Sequence, residues 1–221
     1  MGAIAYDSVM RPERKARIEA VAARRQPDLT VFMERVHKPH NVAAVIRTCD
    51  AVGVMQAHAV PASEGLPKLN HTSQGAQRWV ELIRHPDTGS GLQMLRQAGF
   101  RLYAAHFSSS AVDFREPDYT RPTAIVLGTE KFGVSDEALD RVDQEIVIPM
   151  LGMSQSLNVS VATALILYEA QRQRQAAGLY EPRPLDRPPW RELAAGWIQR
   201  DLDRRKRPPP TDPEDPSGHD P

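Results

Sequence analysis

The sequence predicts an α/β fold built on a parallel sheet, and three observations support this class. Segments with strand character alternate with segments that have the apolar period of helices. Residues 124–127 form a continuous apolar run, which is typical of a strand buried on both faces. Residues 148–169 join an apolar strand end, a loop and a helix without interruption. A pocket at the carboxyl end of that strand is the expected result.

The amino-terminal half predicts a basic amphipathic helix followed by alternating strands and helices. Pro12 suits a helix start and Gly53 suits a helix end, because of their backbone preferences. Residues 61–77 are interrupted by Pro, Gly and Ser and predict a long loop. The elements expected here are helix 11–25, strand 29–33, helix 42–52, strand 55–60 and strand 79–83.

The carboxyl-terminal half continues the alternation and then changes in composition after Gly178. Acidic residues in the first turn of helix 135–139 complement the positive end of the helix dipole. The elements expected here are helix 91–98, strand 101–105, strand 124–127, helix 135–139, strand 145–148 and a helix that starts at Ser156 or Asn158. The domains expected are a basic helix in 1–28, the main domain in 29–178, a basic extension in 179–207 and a disordered tail in 208–221.

Charge is unevenly distributed, although 28 basic and 28 acidic residues give a formal net charge of zero. Residues 11–25 hold six basic and two acidic side chains, and residues 172–207 hold ten and five. Two basic segments therefore flank a mildly acidic centre. They suit a polyanionic partner such as RNA, since phosphate contacts release counterions, and they also suit two solvated helices.

Several classes of protein are not indicated by the composition. No apolar run approaches the length of a membrane helix, and the amino terminus lacks the apolar core of a signal peptide. The single cysteine, Cys49, cannot form an internal disulfide, and nothing suggests a metal site. We expect a cytoplasmic protein without a membrane segment or a bound metal.

The loop in residues 148–169 is a candidate ligand site. Pro149 cannot donate to a sheet ladder and Gly152 permits a left-handed backbone, so the chain leaves its strand here. Ser156 or Asn158 then caps a helix whose free N–H groups face the loop. An ordinary strand, turn and core helix is the alternative.

A second pair of candidate site residues lies in the predicted helix 42–52 and just before it. Asn41 and Arg47 are close enough to reach the same end of that helix. The alternative is that Arg47 pairs with Asp50 on the protein surface.

Three stretches carry a family resemblance. They are HKPHNVAAVIRTCDAVGV (37–54), AIVLGTEKFGVSDEAL (124–139) and IPMLGMSQSLNVSVATALILYE (148–169). In this order they resemble the three motifs of the SPOUT methyltransferases, and within them the TrmH/SpoU branch of RNA ribose 2′-O-methyltransferases. Three ordered motifs form a more specific signal than a single glycine-rich loop.

The resemblance implies a fold and a cofactor. The fold is a parallel-sheet SPOUT domain whose last helix is threaded into a deep trefoil knot, which the residues alone do not predict. The cofactor is S-adenosylmethionine, held by loops at the carboxyl end of the sheet. Matching positions for its contacts are Ala105, Leu127, Gly128, Ile148, Met150 and Leu157. A threonine is usual at the position of Ala105, so one side-chain hydrogen bond is missing there.

The resemblance also implies catalytic and RNA-binding residues. Arg47 matches the catalytic arginine, with Asn41, Glu130, Ser156 and Asn158 as the polar groups around it. Because a guanidinium almost never loses its proton, we expect Arg47 to stabilise the developing alkoxide. If the resemblance is ignored, these polar residues are interpreted as helix caps or turn residues. Arg17, Arg172 and Arg174 match positions that contact tRNA, and His40 and Lys38 lie in the first-motif loop, where His40 contacts RNA or caps the helix.

The function implied is methylation of the ribose 2′-hydroxyl of guanosine 18 in the D-loop of tRNA, by a homodimer. The short segment before the first strand favours tRNA over ribosomal RNA, whose SPOUT enzymes often carry a further RNA-binding domain. The alternatives are 2′-O-methylation of another tRNA or rRNA nucleotide, and a non-catalytic RNA-binding protein of the same fold. Apolar residues on several faces of the helix after Ser156 support the dimer.

Overall fold

A computed structural model describes residues 10–62, 75–129 and 131–205 of the 221-residue chain. The predicted tail at 208–221, most of the predicted loop at 61–77, and Glu130 lie outside these residues. The described part forms two compact units, one of residues 24–183 and one of residues 10–23 together with 184–205.

Seven strands within the described residues form one sheet in which every pairing is parallel. The strands are β1 (Leu29–Glu34), β2 (Gln56–Val60), β3 (Glu81–Arg84), β4 (Arg101–Ala105), β5 (Val112–Asp113), β6 (Thr123–Leu127) and β7 (Gln144–Val147). Their order is β3-β2-β1-β6-β4-β7-β5. Because all strands run the same way, the loops that follow them meet at one edge. The predicted fold class is confirmed, and the knotted threading stays a prediction.

The helices begin and end close to their predicted positions. They are α1 (Pro12–Ala22), α2 (Pro39–Ala51), α3 (Thr88–Gln97), α4 (Asp136–Leu139), α5 (Val159–Ala176) and α6 (Trp190–Arg205). Ser135 and Asn158 cap α4 and α5 by accepting hydrogen bonds from free backbone N–H groups. No helix in the described ranges has both the length and the apolar content that a bilayer crossing needs.

Helices cover both faces of the sheet, and each face has its own apolar core. Side chains alternate between the faces along a strand, so neighbouring residues on β1 belong to different cores. On one face Val31 packs in a cluster with residues from α2 and α5, and on the other Phe32 packs with residues from α3 and α4. All residues of β1 and β6 are buried, as expected for central strands.

The larger unit extends about five residues beyond each predicted boundary of the main domain, because polar contacts fix both ends. The backbone N–H of Gln26 donates to the carbonyl of Gly53 at 2.8 Å, and its side chain donates to Leu179 O at 3.0 Å. The hydroxyl of Tyr180 donates to Val52 O at 2.5 Å. Residues predicted to be flanking segments therefore belong to the sheet unit.

The smaller unit contains α1 and α6, which were predicted as separate extensions. Arg14 donates to the carboxylate of Asp201 at 3.0 Å, and this carboxylate is largely buried. The side chains of Ile18 and Trp197 are buried as well. The two ends of the chain therefore form one small folded unit with its own ion pair.

The buried His58 on β2 and the half-buried His85 after β3 form a pair. Nδ1 of His58 lies 2.9 Å from Nε2 of His85, and the rings stack with centroids 5.1 Å apart. His58 is 4% exposed. Burial, with a smaller contribution from His85, lowers the pKa of His58 to about 4. Burial also lowers the pKa of His85, although the charge of Asp87 opposes this shift.

We expect the free energy of unfolding to fall between pH 6.5 and pH 4 because of His58. The unfolded state binds a proton at His58 with an ordinary pKa of about 6.5, whereas the folded state binds it only near 4, so acid favours unfolding. This contribution is on the order of 3 kcal/mol. Urea unfolding measured across this range should show a flatter pH dependence for His58→Asn. The exposed His40, changed to Asn, is the control, and equal slopes for parent and His58→Asn would contradict this assignment.

Candidate active site

The loops after β1, β4, β6 and β7 meet at the carboxyl-terminal edge of the sheet. One hydrogen bond links two of the predicted site residues there. Nδ2 of Asn158 donates to Oδ1 of Asn41 at 3.1 Å, and Asn41 is buried. Oδ1 of Asn158 accepts from the backbone N–H of Ser160 at 2.8 Å, which caps α5. Asn158 therefore fixes the start of α5 and its position beside α2.

Arg47 lies on α2 with an exposed side chain. The alternative pairing with Asp50 is not observed, because Asp50 accepts a hydrogen bond from Nη2 of the buried Arg25. Arg25 also donates to the carbonyls of Asp50 and Val54. Within the described ranges Arg47 forms no ion pair, so its guanidinium remains available to a ligand.

An apolar cavity of about 140 Å³ lies between the ends of β4 and β7 and the start of α5. Four of the predicted cofactor contacts line it, namely Ala105, Ile148, Met150 and Leu157. Ser156 also lines it, and α5 contributes Ala162 and Ile166. Apolar side chains and loop backbone suit a flat ring system held by main-chain hydrogen bonds.

Leu127 and Gly128 do not line the cavity but lie beside it, at the end of β6, which pairs with β4. Thr129 and Gly133 exchange two backbone hydrogen bonds of 2.9 and 3.0 Å, and Gly133 has a left-handed φ of 70°. This turn brings the backbone of Gly133 directly against Gly128. A Cβ atom at Gly128 would lie 1.9 Å from the carbonyl carbon of Gly133. Glu130, the predicted catalytic carboxylate, lies outside the described residues.

The predicted RNA contacts differ in their surroundings. Arg17 and His40 are exposed. Arg172 is exposed and forms a two-point ion pair with Glu169, with distances of 2.9 and 2.7 Å. The Arg172 side chain is 67% exposed, whereas that of Glu169 is 11% exposed and also accepts a hydrogen bond from Gln173.

Arg174 does not have the exposed position that an RNA contact requires. Its side chain is 0% exposed and ion-pairs with Asp28 at 2.7 Å. Nε donates to Tyr119 O, and the two terminal nitrogens donate to Gln26, to the carbonyls of Asp28 and Arg121, and to the carboxylate of Asp28. The structure thus assigns Arg174 to the framework of the fold. Charge counting along the sequence cannot reveal these carbonyl partners.

A second, larger cleft was not predicted from the sequence. Its volume is about 980 Å³, and it lies at the ends of β1, β2 and β6. Basic and aromatic residues of the first and second motif segments line it, including Lys38, Lys131 and Phe132. The sequence signal that could have indicated this cleft is the position of these residues within the motif segments. Across the described ranges no three His, Cys, Asp or Glu side chains are grouped to hold a metal ion.

The sequence has close relatives of known activity. The profile of the SpoU rRNA Methylase family matches residues 28–168. The tRNA (guanosine(18)-2′-O)-methyltransferase of Thermus thermophilus is 55% identical over 187 residues, covering 85% of this chain and 96% of that protein. The chain belongs to the SpoU rRNA Methylase family.

Solved structures of SpoU proteins share the fold. The Aquifex aeolicus TrmH/SpoU tRNA modifying enzyme has a TM-score of 0.80 and 41% identity, covering 86% of this chain and 96% of that one. The SpoU methyltransferase AviRb from Streptomyces viridochromogenes, in complex with the cofactor AdoMet, has a TM-score of 0.62 and 30% identity. That match covers 68% of this chain and 62% of the other.

Replacing Gly128 by Ala should destabilise this SpoU domain by about 3 kcal/mol, because the added methyl group meets backbone atoms that cannot move aside. Gly152→Ala is the matched control, since its Cβ has no neighbour within 4 Å and its φ is not left-handed. Urea unfolding of the two variants and the parent measures the difference. Equal stability of Gly128→Ala and Gly152→Ala would show that the turn at Gly133 is not held against Gly128.

Proposed function

We propose that this protein transfers a methyl group from S-adenosylmethionine to the ribose 2′-hydroxyl of guanosine 18 in tRNA. The observation that carries this proposal is 55% identity to a tRNA (guanosine(18)-2′-O)-methyltransferase over 96% of that protein's length. The apolar cavity and the Asn41–Asn158 contact lie within residues 28–168, which match the SpoU rRNA Methylase family. Because tRNA is its substrate, we place the protein in the cytoplasm.

The apolar cavity suits the adenine ring of S-adenosylmethionine. Its wall is made by Ala105, Ile148, Met150 and Leu157, and none of these side chains carries a charge. Apolar walls enclose the adenine ring, while loop N–H and C=O groups distinguish it by hydrogen bonding. When bound, the cofactor supplies an electrophilic methyl group on a positively charged sulfur.

Arg47 supports the reaction by electrostatic stabilisation. A guanidinium almost never loses its proton, so it does not act as a proton acceptor at neutral pH. A planar group with several N–H donors can instead bind a phosphate and the oxygen that becomes negative during transfer. Asn41, Ser156, Asn158 and Glu130 are proposed to orient Arg47 and the target nucleotide. The Asn41–Asn158 hydrogen bond supports this role for two of them.

The proposed RNA contacts on the outside of the protein are Arg17, His40 and Arg172. All three are exposed, and each contributes a basic side chain. For Arg172, a phosphate would replace the carboxylate of Glu169, which is an exchange of one anion for another. We do not include Arg174, because its five N–H donors already have partners within the fold.

The protein is proposed to work as a homodimer in which α5 contacts the second copy. Val161, Leu165 and Tyr168 are spaced by four and three residues, so they lie on one face of the helix. They are between 42% and 53% exposed in the single chain. The nearby loop exposes Leu151 and Met153 completely or nearly so. An apolar surface of this kind is typical of a protein interface.

The activity is tested by incubating the enzyme and S-adenosylmethionine with a tRNA transcript and mapping ribose methylation. A transcript with deoxyguanosine at position 18 should accept no methyl group there, because it lacks the 2′-hydroxyl. Methylation of only ribosomal RNA, or of another tRNA nucleotide, would replace the proposed substrate with one of the alternatives. Cofactor binding without any methyl transfer would favour a non-catalytic RNA-binding protein.

Arg47→Lys should slow single-turnover methylation roughly a hundredfold, which corresponds to about 3 kcal/mol of lost transition-state stabilisation. Lysine keeps the charge but lacks the planar set of donors. The control is Arg101→Lys, at the exposed start of β4 on the opposite edge of the sheet, which should react like the parent. A near-parental rate for Arg47→Lys at saturating tRNA and cofactor would remove Arg47 from its catalytic role.

Leu165→Lys should convert the proposed dimer to monomers, because it places a charge in the centre of the apolar face of α5. Sedimentation equilibrium of the variant and the parent measures the change. Met94→Lys is the matched control, since Met94 is an exposed apolar residue on a different helix, α3. A parent protein that is monomeric and fully active would contradict the dimer.

A further inference from the structure

The large cleft at the ends of β1, β2 and β6 is separate from the apolar cavity, which lies at β4 and β7. The two occupy different parts of the same sheet edge. The cleft's volume of about 980 Å³ is large enough for a nucleotide rather than a single ion. Polar and aromatic residues that line it are Arg35, His37, Lys38, Asp87, Lys131 and Phe132.

Among the lining residues that the structure describes, positive charge predominates. Arg35, Lys38 and Lys131 are exposed, and among the residues that the structure describes none of the three forms an ion pair. Asp87 is the one carboxylate among the described lining residues, and it caps α3 by accepting from the N–H of Ser90 at 2.7 Å. The basic groups are therefore free to bind an anion, and phosphates are the anions that a nucleic acid offers.

Phe132 gives the cleft an aromatic surface. Its side chain is 77% exposed, and its backbone N–H donates to Oγ1 of Thr129 at 3.0 Å, which fixes its position on the turn. Nζ of Lys131 lies 5.0 Å from the centre of the ring. An exposed ring beside cations is the arrangement that binds an unpaired base by stacking, while the cations hold the adjoining phosphates.

The backbone of Arg35 provides independent support. Arg35 has a left-handed φ of 53°, which is uncommon for residues other than glycine, asparagine and aspartate. Its N–H donates to Val60 O at 3.1 Å, so the strained residue is held at the point where β1 ends. Strain of this kind is typically retained at ligand-binding sites. Glycine would fit this conformation more easily, whereas arginine presents a charged side chain at the cleft.

We infer that this cleft binds an unpaired nucleotide adjacent to the methylated one, with its base stacked on Phe132 and its phosphates bound by Arg35, Lys38 and Lys131. This inference rests on the proposed function, since it assumes an RNA substrate. It adds a subsite to the exposed contacts at Arg17, His40 and Arg172. The subsite selects RNA whose target nucleotide lies in a loop, because only unpaired bases stack on a side chain in this way.

The charges are tested by measuring tRNA affinity as a function of salt concentration. Arg35→Asn, Lys38→Ala and Lys131→Ala should each lower the slope of log affinity against log salt by about one. Asparagine is chosen for Arg35 because it tolerates the left-handed backbone. Arg101→Ala, which removes a charge from the opposite edge of the sheet, should leave the slope at the parent value.

The stacking is tested at Phe132 by kinetics and fluorescence. Phe132→Leu should raise the KM for tRNA about tenfold, and Phe132→Trp should restore it, while cofactor affinity stays unchanged in both. A tRNA carrying 2-aminopurine beside the methylated guanosine should show a stacking change on binding the parent, and Phe132→Leu should abolish it.

The outcomes separate this inference from the proposed function. If the parent does not methylate tRNA, the proposed function fails. If the parent methylates tRNA but the Phe132 and charge variants keep its KM and salt slope, the subsite is overturned and the activity stands. Phe132→Leu and Phe132→Trp could also have equal KM values for tRNA that are both higher than that of the parent. This result would show that the shape of the side chain matters and stacking does not, and it would overturn the proposed subsite.

Discussion

The burial of Arg174 is the constraint on which the site depends most. Its partners, Gln26 and Asp28 before β1 and Tyr119 and Arg121 before β6, connect α5 to the amino-terminal edge of the sheet. Removing these partners would leave a fully buried charge without compensation, which is strongly destabilising. The carboxyl-terminal part of α5 is therefore fixed. Since the helix is stiff, this also fixes its other end.

That other end lies at the candidate active site. Asn158 caps α5 and donates to Asn41 at the start of α2, so the first turns of the two helices are joined by one side chain. Ala162 and Ile166, on the first turns of α5, form part of the cavity wall. Arg174 therefore fixes one end of α5 and Asn158 fixes the other. As a result, Asn158 lies next to the part of the cavity wall that α5 contributes. On its outer face the same helix carries the apolar residues proposed to contact a second copy.

Much of the fold was predictable because its signals are local. The apolar run in β6 and the alternation of strands and helices gave elements that differ from the structure by a few residues. β5 was not predicted, since Val112–Asp113 is too short for any periodicity. The exclusion of Arg174 from the RNA contacts and the left-handed backbone of Arg35 depend on tertiary contacts. Neither can be read from residue type or spacing. The site residues came from motif resemblance, and spacing alone left Arg47 with an alternative partner.

The structure narrows the chemistry available to Arg47. Asp50, the alternative partner, is held by Arg25, so the guanidinium of Arg47 is not neutralised by its neighbour on α2. A guanidinium without a carboxylate partner can bind a phosphate, and because guanidinium groups almost never lose their proton, Arg47 is not proposed as the base. Asparagine and serine side chains do not take up a proton at neutral pH either. Of the residues proposed for the site, only Glu130 carries a carboxylate. In the proposed mechanism, the proton of the ribose hydroxyl passes to that carboxylate or to water, and Arg47 stabilises the negative charge that remains on the oxygen.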